Sequence, residues 1–463
     1  MRKKLLLFSI STTMCCIQVL NAQNPIDAYL NGKPTYVTIG TSADGLVNPR
    51  DLDFKPGTKD EVWVINGQGS TQGGSTVTYL HANESSRTSS YRRDSNRDHF
   101  LQNASAIAFG EADPKFPTLD PNAEAGTNIL WANTTEGNNG NNFMGPSLWP
   151  SDLTIYAKIN QNNNLLGSHC DMLHQAPYSM GIAHETKNAY WTFDGQAGNI
   201  CRVDFVVPHK YGGDDHSDGR LQRHVDVKVK RVVGIPSHMI LDKKTNWLYI
   251  CDTGNKRVIR ANIKSGTNSG KLNATNEPLA EYSKITGTIQ ETISTDLTSP
   301  CGIDFYEGRL LVSDYSNGDI IVYDVTVTPA VVKGRIKTGE SGIMGIVVDP
   351  NQKIWFVNNK SKKLIRIEPD PTVTSVKDHN LASNISLYPN PSTNGFKIDY
   401  TLNKTEKITI NVLDTQGRLI DVLSVNGTLG NNVIQMDQKY PAGTYLIKMT
   451  VGNESHFKKV SIL

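Results

Sequence analysis

One pattern of apolar and polar positions recurs along the chain. Residues 178–205, YSMGIAHETKNAYWTFDGQAGNICRVDF, pass from a small-residue turn into an apolar strand and across a polar turn to an aromatic strand. The chain then turns at Asp-Gly and enters a third strand. Five other stretches repeat the pattern. They are NPRDLDFKPGTKDEVWVINGQG from Asn48, NASAIAFGEAD from Asn103 (continued after an insertion by TNILWANTTEG), IPSHMILDKKTNWLYICDTGNKRVIRANI from Ile235, SPCGIDFYEGRLLVSDYSNGDIIVYDV from Ser299 and GIMGIVVDPNQKIWFVNNKSKKLIRIEP from Gly342. Gly and Asn at the turns permit tight reversals with positive φ.

One such small sheet cannot cover both of its apolar faces. Copies stacked side by side in a ring cover one another and leave little exposed edge. The anchor positions Leu52, Ile107, Ile182, Ile240, Ile303 and Ile346 lie 43 to 75 residues apart, so the longer units carry insertions. The pattern predicts an all-β fold, a six-bladed β-propeller over residues 36–370. A linear β-solenoid would show shorter, more uniform repeats.

After residue 370 the pattern stops. Residues 371–383 are polar, contain Pro and read as a linker. From residue 384 to 463 apolar residues alternate again, as in KITINVLDTQGRLIDVL and GTYLIKMTV. That alternation predicts a small Ig-like antiparallel β-sandwich, with hairpin turns at Gly417 and Gly443.

Two resemblances follow from particular residues. The P-x-x-I/L/M-x-x-D spacing followed by LYICDTGNKRVIR resembles the NHL repeat, a propeller blade family. Some NHL propellers are binding platforms, and a few are lyases or hydrolases with metal in the central channel, so the likeness implies a fold and leaves the chemistry open. The tail resembles the type A C-terminal sorting domain of the type IX secretion system. The matching residues are LYPNPSTNGF (Leu387 to Phe396), DTQGRLI (Asp414 to Ile420), YPAGTYLIKM (Tyr440 to Met449) and the terminal FKKVSIL. The resemblance implies export across the outer membrane, with the secretion machinery as partner. The protein would then be released or attached at the cell surface. The alternative is an ordinary sandwich used for adhesion.

The N-terminus fits export. MRKK is a positive n-region, LLLFSISTTMCCIQVL an apolar stretch and LNAQ a small-residue cleavage site near Ala22, so residues 1–22 read as a signal peptide. A membrane anchor is the weaker reading, because the run is short and broken by Ser and Thr. No later segment is apolar enough to span a bilayer. The formal net charge is +2 with no basic block, which argues against binding nucleic acid through a general field. Beyond the signal, Cys170, Cys201, Cys251 and Cys301 form either two disulfides, the sequence-near pairing being one of three, or buried free thiols.

Candidate chemistry concentrates in histidine. Seven of the eleven histidines fall between His169 and His238. His238 takes the first-strand register that Gly302 and Gly345 take in later units, so it should face the channel. His169 and His174 precede the first strand of the third unit and are expected near one channel mouth. His169, His174, His184, His216 and His238, with Asp171 and Asp215, are the candidate ligands of a divalent ion, which could be zinc, copper or calcium. DDHSDG, Asp214 to Gly219, could alternatively be a calcium loop or a plain solvated turn. No HExxH, G-x-S-x-G or G-x-G-x-x-G motif is present. Trp149 is a candidate sugar-stacking residue and Arg50 a candidate carboxylate holder at the channel.

Two functions compete. One is a non-catalytic binding propeller that holds an extracellular ligand at the channel mouth. The other is a metal-dependent lyase or hydrolase with a His-lined channel, resembling the peptidyl-hydroxyglycine amidating lyases. Those enzymes draw histidines from several first strands, whereas this chain offers only His238 at that register.

Overall fold

The computed structural model describes residues 24–69, 71–112, 129–140, 143–162, 165–371, 382–393, 395–402, 404–437, 440–452 and 454–463. The signal peptide and most of the linker lie outside them. The chain divides into two compact units, residues 1–370 and 371–463.

The first unit is a six-bladed β-propeller. Blade 1 is Pro49–Phe54, Val62–Asn66, Ser75–Leu80 and Thr88–Arg92; blade 2 is Ala104–Ala112, Ile129–Thr135, Ser147–Pro150 and Asp171–Met172. Blade 3 is Ile182–Thr186, Ala189–Asp194, Asn199–Asp204 and Arg220–His224; blade 4 is Met239–Asp242, Trp247–Asp252, Arg257–Asn262 and Gln290–Ser294. Blade 5 is Pro300–Tyr306, Arg309–Asp314, Asp319–Asp324 and Val331–Lys337. Blade 6 takes Ile343–Val348, Ile354–Asn358 and Lys363–Glu368 from the far end of the unit and Thr35–Gly40 from its beginning. The pairing of Thr35 with Glu368 and Tyr36 with Ile367 closes the ring with hydrogen bonds.

The first strand of each blade is innermost, and each neighbours the next around the ring, the last returning to the first. These strands surround the central channel. In three blades they approach so closely that a side chain is excluded at particular glycines: a Cβ on Gly181 would lie 2.1 Å from the Ser237 carbonyl oxygen, one on Gly302 2.0 Å from that of Met344, and one on Gly345 2.4 Å from Asp51 Oδ1. The Gly pattern in the sequence has this cause.

Burial explains why no blade stands alone. Six apolar clusters fill the six blade-to-blade interfaces. Leu248 and Ile250 of blade 4 pack with Trp191 and Phe193 of blade 3, and Trp63 of blade 1 packs with Phe109 and Trp131 of blade 2. Middle strands such as Val62–Asn66 and Ile354–Asn358 are buried along their whole length, so they read as continuous apolar runs.

One insertion stitches neighbouring blades. Between the third and fourth strands of blade 4 the chain forms the hairpin Thr267–Lys271 and Glu281–Thr286. Its second strand runs parallel to Arg220–His224, so blade 3 becomes a six-stranded sheet. The four cysteines are free and buried, which settles that alternative. Burial drives the Cys201 thiol up to about 12, tempered by Arg223 and reinforced by Asp194.

The second unit is an antiparallel sandwich. One sheet holds Leu419–Gly427, Glu406–Leu413, Gly443–Val451 and Glu454–Ile462; the other holds Ala382–Tyr388, Phe396–Leu402 and Gly430–Met436. Ile408, Ile410 and Val412 alternate into its core. Gly417 turns the chain at φ 78°, as expected, whereas Gly443 opens a strand. No helix among the described residues is long and apolar enough to cross a membrane.

Candidate functional site

The channel contains a cavity of about 550 Å³ lined by all six innermost strands. Its polar groups are already engaged. His238 does face the channel, but its Nε2–H donates to the Ser105 carbonyl at 3.0 Å and its Nδ1 lies 3.5 Å from Asp51 Oδ1. Burial, partly opposed by the Ser105 bond, lowers His238 to about 4. Burial likewise pushes Asp51 up to about 8, partly opposed by backbone bonds from Ile107 and Leu52. Both shifts favour the uncharged forms, a neutral imidazole beside a protonated carboxyl. Asp51, Asp53 and Asp304 each accept a main-chain N–H from the adjacent blade (Ile107, Phe109 and Val348, at 2.9, 2.8 and 2.6 Å), which satisfies the free edges of the innermost strands. His184 also lines the cavity; its Nε2–H donates to Lys187 O at 2.9 Å and its Nδ1 accepts from Lys243 Nζ at 2.9 Å.

Other candidates at the channel are internal fittings. Arg50 does hold a carboxylate, that of Glu136 in the same chain, at 2.9 Å with both side chains buried. Trp149 belongs to a blade 2 strand and is fully buried, its Nε1–H donating to Asn133 Oδ1 at 2.7 Å, so no sugar can stack on it.

The remaining histidines gather elsewhere. Three segments build the place: residues 166–174 around the short outer strand of blade 2, residues 209–216 before the outer strand of blade 3, and the tip of the blade 4 hairpin at Glu277. The turn Arg97–Phe100, between blades 1 and 2, adds His99. These segments enclose a pocket of about 510 Å³ lined by His99, Phe143, His174, His216 and Glu277, with Asp214 and Asp215 at its exposed edge. The expected channel-mouth position of His169 and His174 is corrected here. The chain leading into blade 3 is consumed by the outer strand of blade 2, which carries these residues away from the hub.

The rings form a row. Centroids are 4.8 Å apart for His169 and His209, 5.4 Å for His209 and His216, 5.9 Å for His216 and His174, and 6.0 Å for His174 and His99. Stacking fixes two of them: Phe100 lies 3.8 Å from His169, and Phe143 lies 3.8 Å from His174.

Their nitrogens are arranged alike. Nδ1 of His169 meets Leu166 O and Nδ1 of His209 meets Lys210 O, each at 2.7 Å; a carbonyl only accepts, so each Nδ1 carries the proton. Nδ1 of His174 meets Glu277 Oε2 at 2.6 Å, and Nδ1 of His216 meets Asp171 Oδ1 at 2.9 Å. Nε2 of His169, His174 and His209, together with Asp171 Oδ2, is left buried without a partner. Burial, with the neighbouring imidazoles, holds His169 well below its usual value and brings His99 down to about 4. Burial takes His209 down to about 4 despite its backbone bond. Burial pushes Asp171 up to about 7, opposed by His216; burial would lower His216, but Asp171 outweighs it and the net shift is upward.

Each unpaired buried polar atom costs about 1–3 kcal/mol. Here they are all lone-pair donors set along one row of rings, which suits a cation. Nitrogen donors suit a transition ion and not calcium. The donor atoms of Asp171, His209 and His216 lie within 4.8 Å of one another. Imidazoles whose Nδ1–H is pinned by a carbonyl or carboxylate have the orientation that metal-ligating histidines adopt. Asp215 Oδ1 instead caps its own turn, accepting from Ser217 N at 3.1 Å and Oγ at 2.7 Å. A second group, Asp60, His81 and Glu84, is mostly exposed.

Of the residues singled out in the sequence, His169, His174, His216, Asp171 and Asp215 come together, while His184 and His238 do not. His99 and Glu277 complete the pocket, and His209 joins the row of rings beside it. His209 belonged to the histidine-rich run; Glu277 is 103 residues beyond His174 and nothing in the sequence connects them.

Residues 386–463 match the secretion system C-terminal sorting domain family. The tail is a type IX sorting domain. It marks a protein exported to the cell surface or secreted. No curated protein matches the chain. Among solved structures the chain is similar to an auxiliary nutrient binding protein from Bacteroides thetaiotaomicron, at 11% identity, over 73% of this chain and 77% of that one, with a TM-score of 0.44. A protein of the same description from Bacteroides ovatus shows 9% identity over 73% and 78%, TM-score 0.44. A catalytically inactive virginiamycin B lyase from Staphylococcus aureus, with quinupristin, shows 10% identity over 93% and 99%, TM-score 0.39.

Proposed function

We propose that the protein works outside the cell as a metal-binding propeller, and that its site is the histidine pocket between blades 2 and 3. The pocket takes a divalent transition ion, zinc or copper, and offers it to an extracellular ligand through the open side bounded by Asp214 and Asp215. The observation that carries this is the set of unpartnered, buried Nε2 atoms of His169, His174 and His209 beside Asp171 Oδ2. Nothing comparable supports a ligand or an ion in the channel, where the nitrogens of His184 are both engaged and His238 is spent on Ser105 and Asp51.

Elemental analysis of the mature chain after equilibration with zinc tests the reading. Bound metal should be stoichiometric, and His209→Ala or Asp171→Ala should lose it. A metal-free chain, or one whose metal survives both substitutions, overturns it. Zinc at a hundredfold excess over its dissociation constant should also stabilise the fold by about 2.7 kcal/mol, seen as a higher melting temperature.

A further inference from the structure

We infer that the cleft between blades 4 and 5 is a separate binding site and that it takes a neutral saccharide. The cleft encloses about 830 Å³, within the range of about 300–1,000 Å³ usual for small-molecule sites. It is bounded by the turn that joins the first two strands of blade 4, Asp242 to Trp247, and by the matching turn of blade 5, Tyr306 to Arg309. It shares no residue with the histidine pocket. Trp247 singles it out. The chain has six tryptophans. Five are fully buried, and each donates its Nε1–H within the chain: Trp63 to Glu61, Trp131 to Pro150 O, Trp149 to Asn133, Trp191 to Glu185 and Trp355 to Asp349, at 2.7 to 3.0 Å. Trp247 is half-buried in the cleft, and its Nε1–H has no partner among the described residues.

The Trp247 ring is held in place. The Arg260 guanidinium lies 4.3 Å from its centroid and is itself fixed by two hydrogen bonds to Glu291, at 2.9 and 2.6 Å. Half-buried Phe305 stacks on Tyr249 at 10°, with centroids 6.0 Å apart, and gives the cleft a second aromatic surface. At the rim, exposed Lys244 and Glu307 use neither side chain in a hydrogen bond or ion pair among the described residues. The cleft therefore offers ring surface, free donors on Trp247 and Lys244, and a free acceptor on Glu307. A sugar ring brings apolar C–H surface and a rim of hydroxyls that both donate and accept, which matches that set. An anion matches it less well, because the buried cation, Arg260, is already neutralised by Glu291, and Glu307 balances Lys244 at the rim. A wholly apolar ligand would cover the Trp247 N–H and leave it unpaired.

Calorimetric titration of the full mature chain with cellotetraose, maltotetraose and xylotetraose tests this, in chelator so that the histidine pocket is empty. At least one of the three should bind saturably and change the tryptophan emission. Trp247→Ala should weaken that binding more than about tenfold. Trp247→Phe keeps a ring and removes only the N–H, so it should weaken binding about 2–10-fold. Melting curves check that each variant folds, and Trp247→Phe serves if Trp247→Ala does not. No saturable binding of any of the three overturns the proposal, and so does binding that both variants leave unchanged. Oligogalacturonate bound in place of the neutral sugars would show that the cleft selects an anion. A saccharide bound only when zinc replaces the chelator, and indifferent to Trp247, would belong to the histidine pocket and overturn the cleft as its site.

Discussion

His238 reaches across the hub of the propeller and donates its Nε2–H to the main-chain carbonyl of Ser105, two blades away in sequence, at 3.0 Å. It stands at the register that Gly302 and Gly345 take in blades 5 and 6. Removing it leaves Ser105 O without its partner and opens a gap beside Asp51. His238→Ala should cost about 1–3 kcal/mol of stability, read by chemical denaturation, while bound metal stays unchanged. Loss of metal in this variant would return the site to the channel.

The partner carboxyl gives a pH signature. Asp51 has an ordinary value of 3.8 and is raised by burial to about 8. Between those values the unfolded chain has released a proton that the folded chain keeps, so stability falls as pH rises, by up to about 1.4 kcal/mol per unit. Asp53 and Asp304, raised to about 7 by burial, act in the same direction. His238 has the opposite sign: between about 4 and 6.5 the unfolded chain binds a proton that the folded chain does not, and stability rises with pH. Asp51→Asn reproduces the protonated carboxyl, with an oxygen for Ile107 N–H and an amide toward His238. Its melting temperature should match the wild type near or below pH 4, exceed it increasingly from pH 5 toward pH 8 and level off above that. A constant difference across that range would show that Asp51 is ionised in the folded chain.

The propeller was legible because its physics is local and repeated. Each blade shows its apolar strand, its Gly or Asn turn and its aromatic strand within one short stretch, and six copies imply closure. The pocket was legible only in part. Clustering drew attention to His169, His174 and His216, but the expected place was wrong, because the long insertions carry the chain to the outer strands of blades 2 and 3. His99 and Glu277 come from different blades altogether. Which histidines are spent on carbonyls, like His238, depends on main-chain oxygens that residue types do not reveal.

Close approach at the hub makes a second structural forecast. The innermost strands of blades 5 and 6 meet at Gly302, where an added Cβ would lie 2.0 Å from Met344 O and 2.9 Å from Ser313 Oγ. Backbone cannot yield as the end of a flexible side chain can. Ser313 Oγ also accepts the Gly302 N–H at 2.7 Å, so a shift breaks that bond. Gly302→Ala should destabilise the propeller by about 1–3 kcal/mol, measured by denaturant midpoint. Gly57→Ala is the control for a new methyl group, since nothing lies within 4 Å of its added Cβ, although its φ of 78° adds its own strain. A Gly302 variant no less stable than that control would show that the hub can expand.

The two units should separate in function as they do in contacts. The ring is closed by the propeller's own first strand on Lys363–Glu368, and Lys33 N–H donates to Asp370 Oδ2 at 2.7 Å just beyond that pairing. No part of the sorting domain is needed for that closure, so a chain ended after Asp370 keeps every bond of blade 6. It should melt within a few degrees of the full mature chain and bind the same metal. A chain ended before Lys363 loses the strand on which Thr35–Gly40 pairs and should not close. In cells of the type that export this protein, the chain ended after Asp370 should cross the inner membrane and stop in the periplasm, since residues 386–463 carry the sorting signal. Fractionation followed by immunoblotting reads the outcome. A truncated chain found at the surface or in the medium would show that export rests on some other segment.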